Sequence, residues 1–248
     1  MNAIFILWSR QLKRYFRSKA RIIGSIGQPL LYLLALGFGF GSIYQRAGEG
    51  NYIQLLVPGI ISMSILFTAI FSGIEIIWDR QFGFLKETLV APVSRFEIMI
   101  GRTLGGATVA TLQGTIVFVI SFLTGFKTFN ITLLPLAFVF MFLIALLFTA
   151  FGTAIASVLQ DMQGFQLIMN FLIMPIFFLS GALFPTNDLP KVMNSIVRIN
   201  PLSYGVDGLR GTLINMTHFG LMTDFLVLSI ACIVLIALGG YLFDKIQI

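Results

Sequence analysis

The sequence predicts an all-α integral membrane protein formed as a single domain over residues 1–248. It has six transmembrane helices, an N-terminal interfacial amphipathic helix, and short re-entrant outer helices before the last span. Three observations predict this. The chain is 57% apolar and 10% charged, where an ordinary soluble domain carries roughly 25% charged residues. Six stretches hold no charge, at 22–45, 50–74, 103–126, 128–160, 162–187 and 225–243. Each approaches or exceeds the roughly 20 apolar residues that cross a hydrocarbon core, a length that soluble core helices rarely reach without charge. Finally, eleven Lys and Arg fall in the N-terminal segment, the even loops and the tail, against five in the odd loops. That bias predicts a multi-pass protein of the cytoplasmic membrane with both termini and the loop over 75–102 in the cytoplasm. The net charge of +6 then belongs to segments that meet anionic lipid headgroups and marks no nucleic-acid partner.

Residues 2–20 are expected to form the interfacial helix. At roughly 100° per residue, Ile4, Trp8, Leu12, Tyr15 and Phe16 share one face, and Arg10, Arg14, Arg17 and Arg21 share the opposite one. The charges follow an apolar start and no small-residue cleavage pattern closes the segment, so it does not read as a cleaved signal peptide. The spans are expected at about 22–45, 52–75, 101–126, 132–159, 163–185 and 224–243. Gly37 and Gly41 in the first span, and Gly101 and Gly105 with Gly106, Ala110 and Gly114 in the third, have the spacing that lets helix backbones approach. Thr108 and Thr111, with Thr115, nearly share a face of the third span. Gln163, Gln166 and Asn170 share one on the fifth, near Phe171, Phe177 and Phe178. Such stripes either line a substrate path or bond across helices. Pro175 is expected to kink the fifth span.

Charges are expected at or outside the span boundaries. Glu75 comes nearest to membrane depth, where Arg80 or Arg102 is its expected partner. No internal coupling-ion site is visible, so energy for transport must come from outside this chain.

The loop between the second and third spans is the most informative segment. Eight charges between Glu75 and Arg102 surround Phe82-Gly83-Phe84-Leu85-Lys86-Glu87-Thr88-Leu89-Val90-Ala91-Pro92-Val93-Ser94. Residues 76–100 suffice for about two short helices with a breaker at Pro92. Ser94-Arg95-Phe96-Glu97 fits a capping box that starts the third helix. Leu85, Leu89 and Val90, edged by Lys86 and Glu87, are expected to present an apolar knob to a partner's groove. Across the membrane, residues 186–223 read as short helices over 189–199 and 202–214, split at Asn200-Pro201 and capped by Asn200 or Ser203. Their composition suits re-entry into the outer leaflet.

The chemistry excluded is equally informative. Cys232 and His218 are each the only residue of their kind, and no nucleophile, base and orienter set stands out. None of the six lysines follows a glycine, so a Gly-x-x-x-x-Gly-Lys-Ser/Thr phosphate cradle is missing. The chain reads as no enzyme, with no metal or cofactor of its own.

With these residues in view, the chain resembles the ABC-2 type permeases over essentially its whole length. Two motifs carry the resemblance. Gly83-Phe84-Leu85-Lys86-Glu87-Thr88-Leu89-Val90-Ala91-Pro92-Val93-Ser94-Arg95 is similar to that family's cytoplasmic coupling region. Asn200-Pro201-Leu202-Ser203-Tyr204-Gly205-Val206-Asp207-Gly208-Leu209-Arg210-Gly211 is similar to its signature before the last span. The resemblance implies two permease copies, in a homodimer, with two copies of a separate ATPase subunit that holds ATP and Mg. It also implies export by alternating exposure, and the Leu-Val-Ala-Pro-Val-Ser stretch is closest to the drug and antibiotic branch. Phe82, Gly83, Leu85, Lys86, Glu87, Leu89, Val90, Pro92 and Ser94 are then the expected ATPase contacts. Gln163, Gln166, Asn170, Phe177, Thr108 and Thr111 are the candidate path. The alternatives are export of a polysaccharide or lipid-linked glycan, and a membrane assembly partner that transports nothing.

Overall fold

The computed structural model of the chain describes residues 3–46, 50–128, 131–185 and 190–246. The longer elements are helices: α1 (Ala3–Arg17), α2 (Lys19–Arg46), α3 (Tyr52–Ser72), α4 (Ile74–Gln81), α5 (Phe84–Val90), α6 (Arg95–Ser121), α7 (Leu134–Val158), α8 (Met162–Phe178), α9 (Lys191–Ile199), α10 (Pro201–Ile214) and α11 (Leu221–Asp244). Among the described residues, five runs are long and apolar enough to cross a membrane: Ile22–Arg46, Tyr52–Gln81, Arg95–Thr124, Ile131–Val158 and Leu221–Asp244. Met162–Phe178 is a shorter apolar helix.

Local chemistry moves several boundaries from those expected. The expected second span ends at 75, but α4 continues to Gln81 beyond a break at Gly73, which brings Glu75 and Asp79 into helix. The third helix starts at Arg95, where the Ser94 and Glu97 capping box was expected to start it, six residues before the expected span boundary at 101. The fifth stops at Phe178, short of the expected 185. Pro175 lacks a backbone donor there, and Gly181 follows at φ 74°.

The core is built on α3, α6 and α7, with α11 against α7 and α6, and α10 wedged among α3, α7 and α11. Backbones approach closely where α3 passes α7. A Cβ on Gly73 would lie 2.5 Å from the Gly152 carbonyl oxygen, and one on Gly152 would lie 2.4 Å from that of Ile70. Only glycine fits on either side. The small residues read from the sequence serve contacts within the chain: Gly106 packs on Ser72 and Thr149, and Gly114 on Ile65 and Met141. Gly37 meets Ile53, whereas Gly41 faces open space.

Two elements lie differently from expectation. α1 is laid lengthwise on α6, with Ile4 at Gly101 and Gln11 at Gly105. Trp8 Nε1 donates to Thr108 Oγ1 at 3.0 Å, and the Tyr15 hydroxyl donates to Gln113 Oε1 at 2.6 Å. That seating leaves Phe16 exposed, although the helical wheel placed it on one face with Ile4, Trp8, Leu12 and Tyr15. The second is α10, of whose 14 residues twelve are buried. Asp207 and Arg210 therefore lie buried within the bundle, although outside the spans themselves. The structure keeps both by bonding them, as shown below.

Candidate functional site

Five arginines gather the end of the bundle that carries α5. Asp79 accepts from Arg102 at 2.6 Å, both side chains buried, and faces Arg10 at 3.5 Å. Glu75 faces Arg14 at 3.5 Å. Arg80, expected as a partner for Glu75, instead donates to the Leu159 and Ser157 carbonyl oxygens at 3.1 and 3.0 Å. It thereby satisfies acceptors that the end of α7 leaves open. Arg95 donates to the carbonyl oxygens of Asp244 and Ile246 at 2.5 and 3.0 Å. Together these bonds tie α1, α4, α6, α7 and α11 into one frame. A charge at this depth persists only when paired. The sequence reading missed the network, although Arg10 with Arg14 and Glu75 with Asp79 repeat at four-residue spacing, which aligns each pair on its own helix.

α5 stands on this frame. Gly83 precedes it at φ 81°, a left-handed turn that suits glycine. The expected knob divides. Leu85 is fully buried and Leu89 packs partly into the core, so both anchor α5 to its own chain. The exposed apolar surface is instead Phe82, Phe84 and Val90, at 67%, 51% and 86% exposure. Lys86, Glu87, Pro92 and Ser94 are exposed beside it and Gly83 is half-buried. Heptad or helical periodicity over seven residues is too short to reveal which side turns inward. Beside α5 runs a groove of about 710 Å³ between α1 and α4, walled by Arg10, Lys13, Arg14 and Arg17, by Asp79, and by Trp78, Phe82 and Phe84.

At the opposite end the Asn200–Arg210 motif acts as a set of pins. Asn200 Oδ1 accepts from the Leu202 amide, capping α10, while its Nδ2 donates to the Ile176 carbonyl at 2.6 Å. Pro201 opens α10 at its first position. The Tyr204 hydroxyl donates to the Arg198 carbonyl at 2.7 Å, and its ring stacks on Phe219. Asp207 accepts from the His218 and Phe219 amides at 2.8 Å. Arg210 reaches the Gly181 carbonyl at 2.7 Å and those of Ala182 and Leu55 at 3.3 and 3.4 Å. The motif thus fastens the turn after α8 to α3 and α10, a role that the sequence alone did not disclose.

The candidate path residues are dispersed. Gln163, Gln166 and Asn170 lie exposed on α8, while Phe177 is buried on that helix with Phe165, Met169 and Ile173. Thr108 accepts from Trp8 and donates to the Leu104 carbonyl, and Thr111 donates to that of Ala107. The structure does not bring the two threonines together with the α8 stripe.

A bundle of apolar helices with a charged frame under a short exposed helix is the plan of a membrane permease subunit. The chain belongs to the ABC-2 type transporter family, whose match covers residues 2–214. It is 30% identical over 193 residues to nodulation protein J of Rhizobium leguminosarum bv. trifolii, covering 77% of this chain and 73% of that protein. It is 26% identical over 231 residues to the inner membrane transport permease YadH of Escherichia coli strain K12, covering 92% and 89%. Nodulation protein J of Rhizobium leguminosarum bv. viciae is 26% identical over 230 residues, covering 89% and 88%.

Proposed function

We propose that this chain is the membrane-spanning subunit of an ATP-driven exporter that moves an amphipathic or hydrophobic, drug- or antibiotic-like compound out across the cytoplasmic membrane. The observation that carries the reading is the exposed Phe82, Phe84 and Val90 surface mounted on the arginine-tied frame. A separate ATPase subunit, present twice, takes that surface, with Gly83, Lys86, Glu87, Pro92 and Ser94 at its edge. Leu85 and Leu89 act indirectly by holding α5 to the bundle. ATP and Mg bind on the partner, and a push on α5 reaches α1, α4, α6, α7 and α11 as one body. The basic end faces the cytoplasm, with both termini. A second permease copy completes a homodimer, with α2 and α8 at the seam. Exposed apolar side chains such as Phe38 on α2 and Phe171 on α8 support that placing. Gln163, Gln166 and Asn170 then run along the path.

One observation favours a second cargo class. The basic, aromatic groove beside α5 suits an anionic headgroup, as a lipid-linked glycan carries.

The test is to reconstitute the permease with a candidate ABC ATPase subunit, and to measure ATP hydrolysis with and without candidate cargo. Val90→Asp is expected to remove cargo stimulation while membrane insertion stays unchanged. Unaltered stimulation would refute α5 as the contact. Native mass spectrometry showing one permease per complex would refute the homodimer.

A further inference from the structure

A second cavity, of about 170 Å³, opens between α2 and α3, with Tyr15 of α1 on its wall. Its α3 wall is one helical face: Met63, Ser64, Phe67, Thr68 and Phe71 follow at alternating steps of one and three residues. Phe67 and Phe71 stack with centroids 6.4 Å apart. Gly24 and Gln28 line the α2 side, and a Cβ on Gly24 would meet nothing within 4 Å, which keeps that side open.

The polar groups separate this cavity from a packing fault. Ser62 and Ser72, on the same helix, spend their hydroxyls on the carbonyls of Pro58 and Ala69 at 2.9 and 2.6 Å. Ser64 does not. Ser64 stands in the cavity wall, and its buried Oγ has no hydrogen-bond partner among the described residues. Behind Tyr15, Gln113 accepts the phenol proton through Oε1, while its buried Nε2 has no partner among the described residues. A buried hydroxyl left unbonded keeps its full desolvation penalty, which a bound hydroxyl or carbonyl removes. Among the described residues no charged side chain lines the space, which favours a neutral ligand over an ionised one. The volume matches one ring, since a cavity of about 150 Å³ accepts benzene.

We propose that this cavity binds a neutral aromatic ring bearing a hydroxyl or carbonyl group, with the ring against Phe67 and Phe71 and the oxygen on Ser64. As a cargo subsite it rests on the export reading given above.

The test uses the full permease with its ATPase in native membrane vesicles. The probe is a benzyl alcohol carrying a trifluoromethyl diazirine, with the matching toluene as control. Photolysis followed by peptide mapping is expected to place the alcohol on the α3 segment from Met63 to Phe71. Ser64→Ala keeps the space and removes the anchor, so alcohol labelling should fall about fivefold, to the level of the toluene. Ser64→Leu fills the space and should lower labelling by both probes. Equal labelling in all three proteins, or adducts spread over outward positions such as Ile23 and Leu31, would overturn the proposal. Cavity labelling without ATP-dependent loss of probe from the vesicles supports the site and refutes export. ATP-dependent loss without cavity labelling does the reverse.

Discussion

The buried Asp79–Arg102 pair gives the sharpest energetic prediction. Replacing Asp79 by Ala removes the 2.6 Å contact to Arg102 and the 3.5 Å contact to Arg10. The Arg102 side chain is 4% exposed, so its charge has no route to water. Breaking one half of such a pair costs about 3–5 kcal/mol, most of it from the stranded charge. For a chain of this size that lowers the melting midpoint by roughly 10 °C. Replacing both partners, as Asp79→Leu with Arg102→Met, removes the stranded charge, so most of the loss should be recovered. Thermal melting of the purified permease, followed by fluorescence-detected size exclusion, measures all three proteins. A single substitution costing under about 1 kcal/mol, or a double variant no better than Asp79→Ala, would refute the claim that charge burial holds this end together.

Other outcomes follow from named contacts. Gly105→Leu drives a side chain into Gln11, whose Cγ lies 2.6 Å from the nearest Cβ position. It should cost about 1–3 kcal/mol and lift α1 from α6, read as faster proteolysis of the first 20 residues. Arg210→Ala leaves the carbonyls of Gly181, Ala182 and Leu55 without their donor. Membrane abundance should fall, whereas Arg198→Ala, on an exposed site, should leave it unchanged. Asn170→Trp should alter the spectrum of compounds that a cell resists before it alters basal ATP hydrolysis, and Leu226→Trp should alter neither. Matching resistance profiles for the two would move the path away from α8.

Helix content was legible in the sequence because charge-free length is a strong signal, and the helix starts at Ser94 and Asn200 were legible from their caps. Rotation about a helix axis was not. Leu85 and Val90 both read as knob residues, yet one is fully buried and the other 86% exposed. The choice depends on how α5 meets the bundle, which its seven residues do not encode. The depth of α10 was hidden for a different reason. A short helix over 202–214 was expected, but the amide and carbonyl partners that allow Asp207 and Arg210 to be buried come from distant residues. The Gly101 and Gly105 pair was recognised as a close-packing site, but spacing alone does not name α1 as the neighbour.

The central claim is that α5 is where a separate ATPase engages this chain, and site-directed cross-linking in membranes tests it most directly. Val90→Cys, at the most exposed apolar position of α5, is compared with Met216→Cys, exposed at the opposite end of the bundle. With a short thiol-to-amine cross-linker and the ATPase present, the account predicts a permease–ATPase adduct from Val90→Cys and none from Met216→Cys. An adduct from Met216→Cys alone would contradict it.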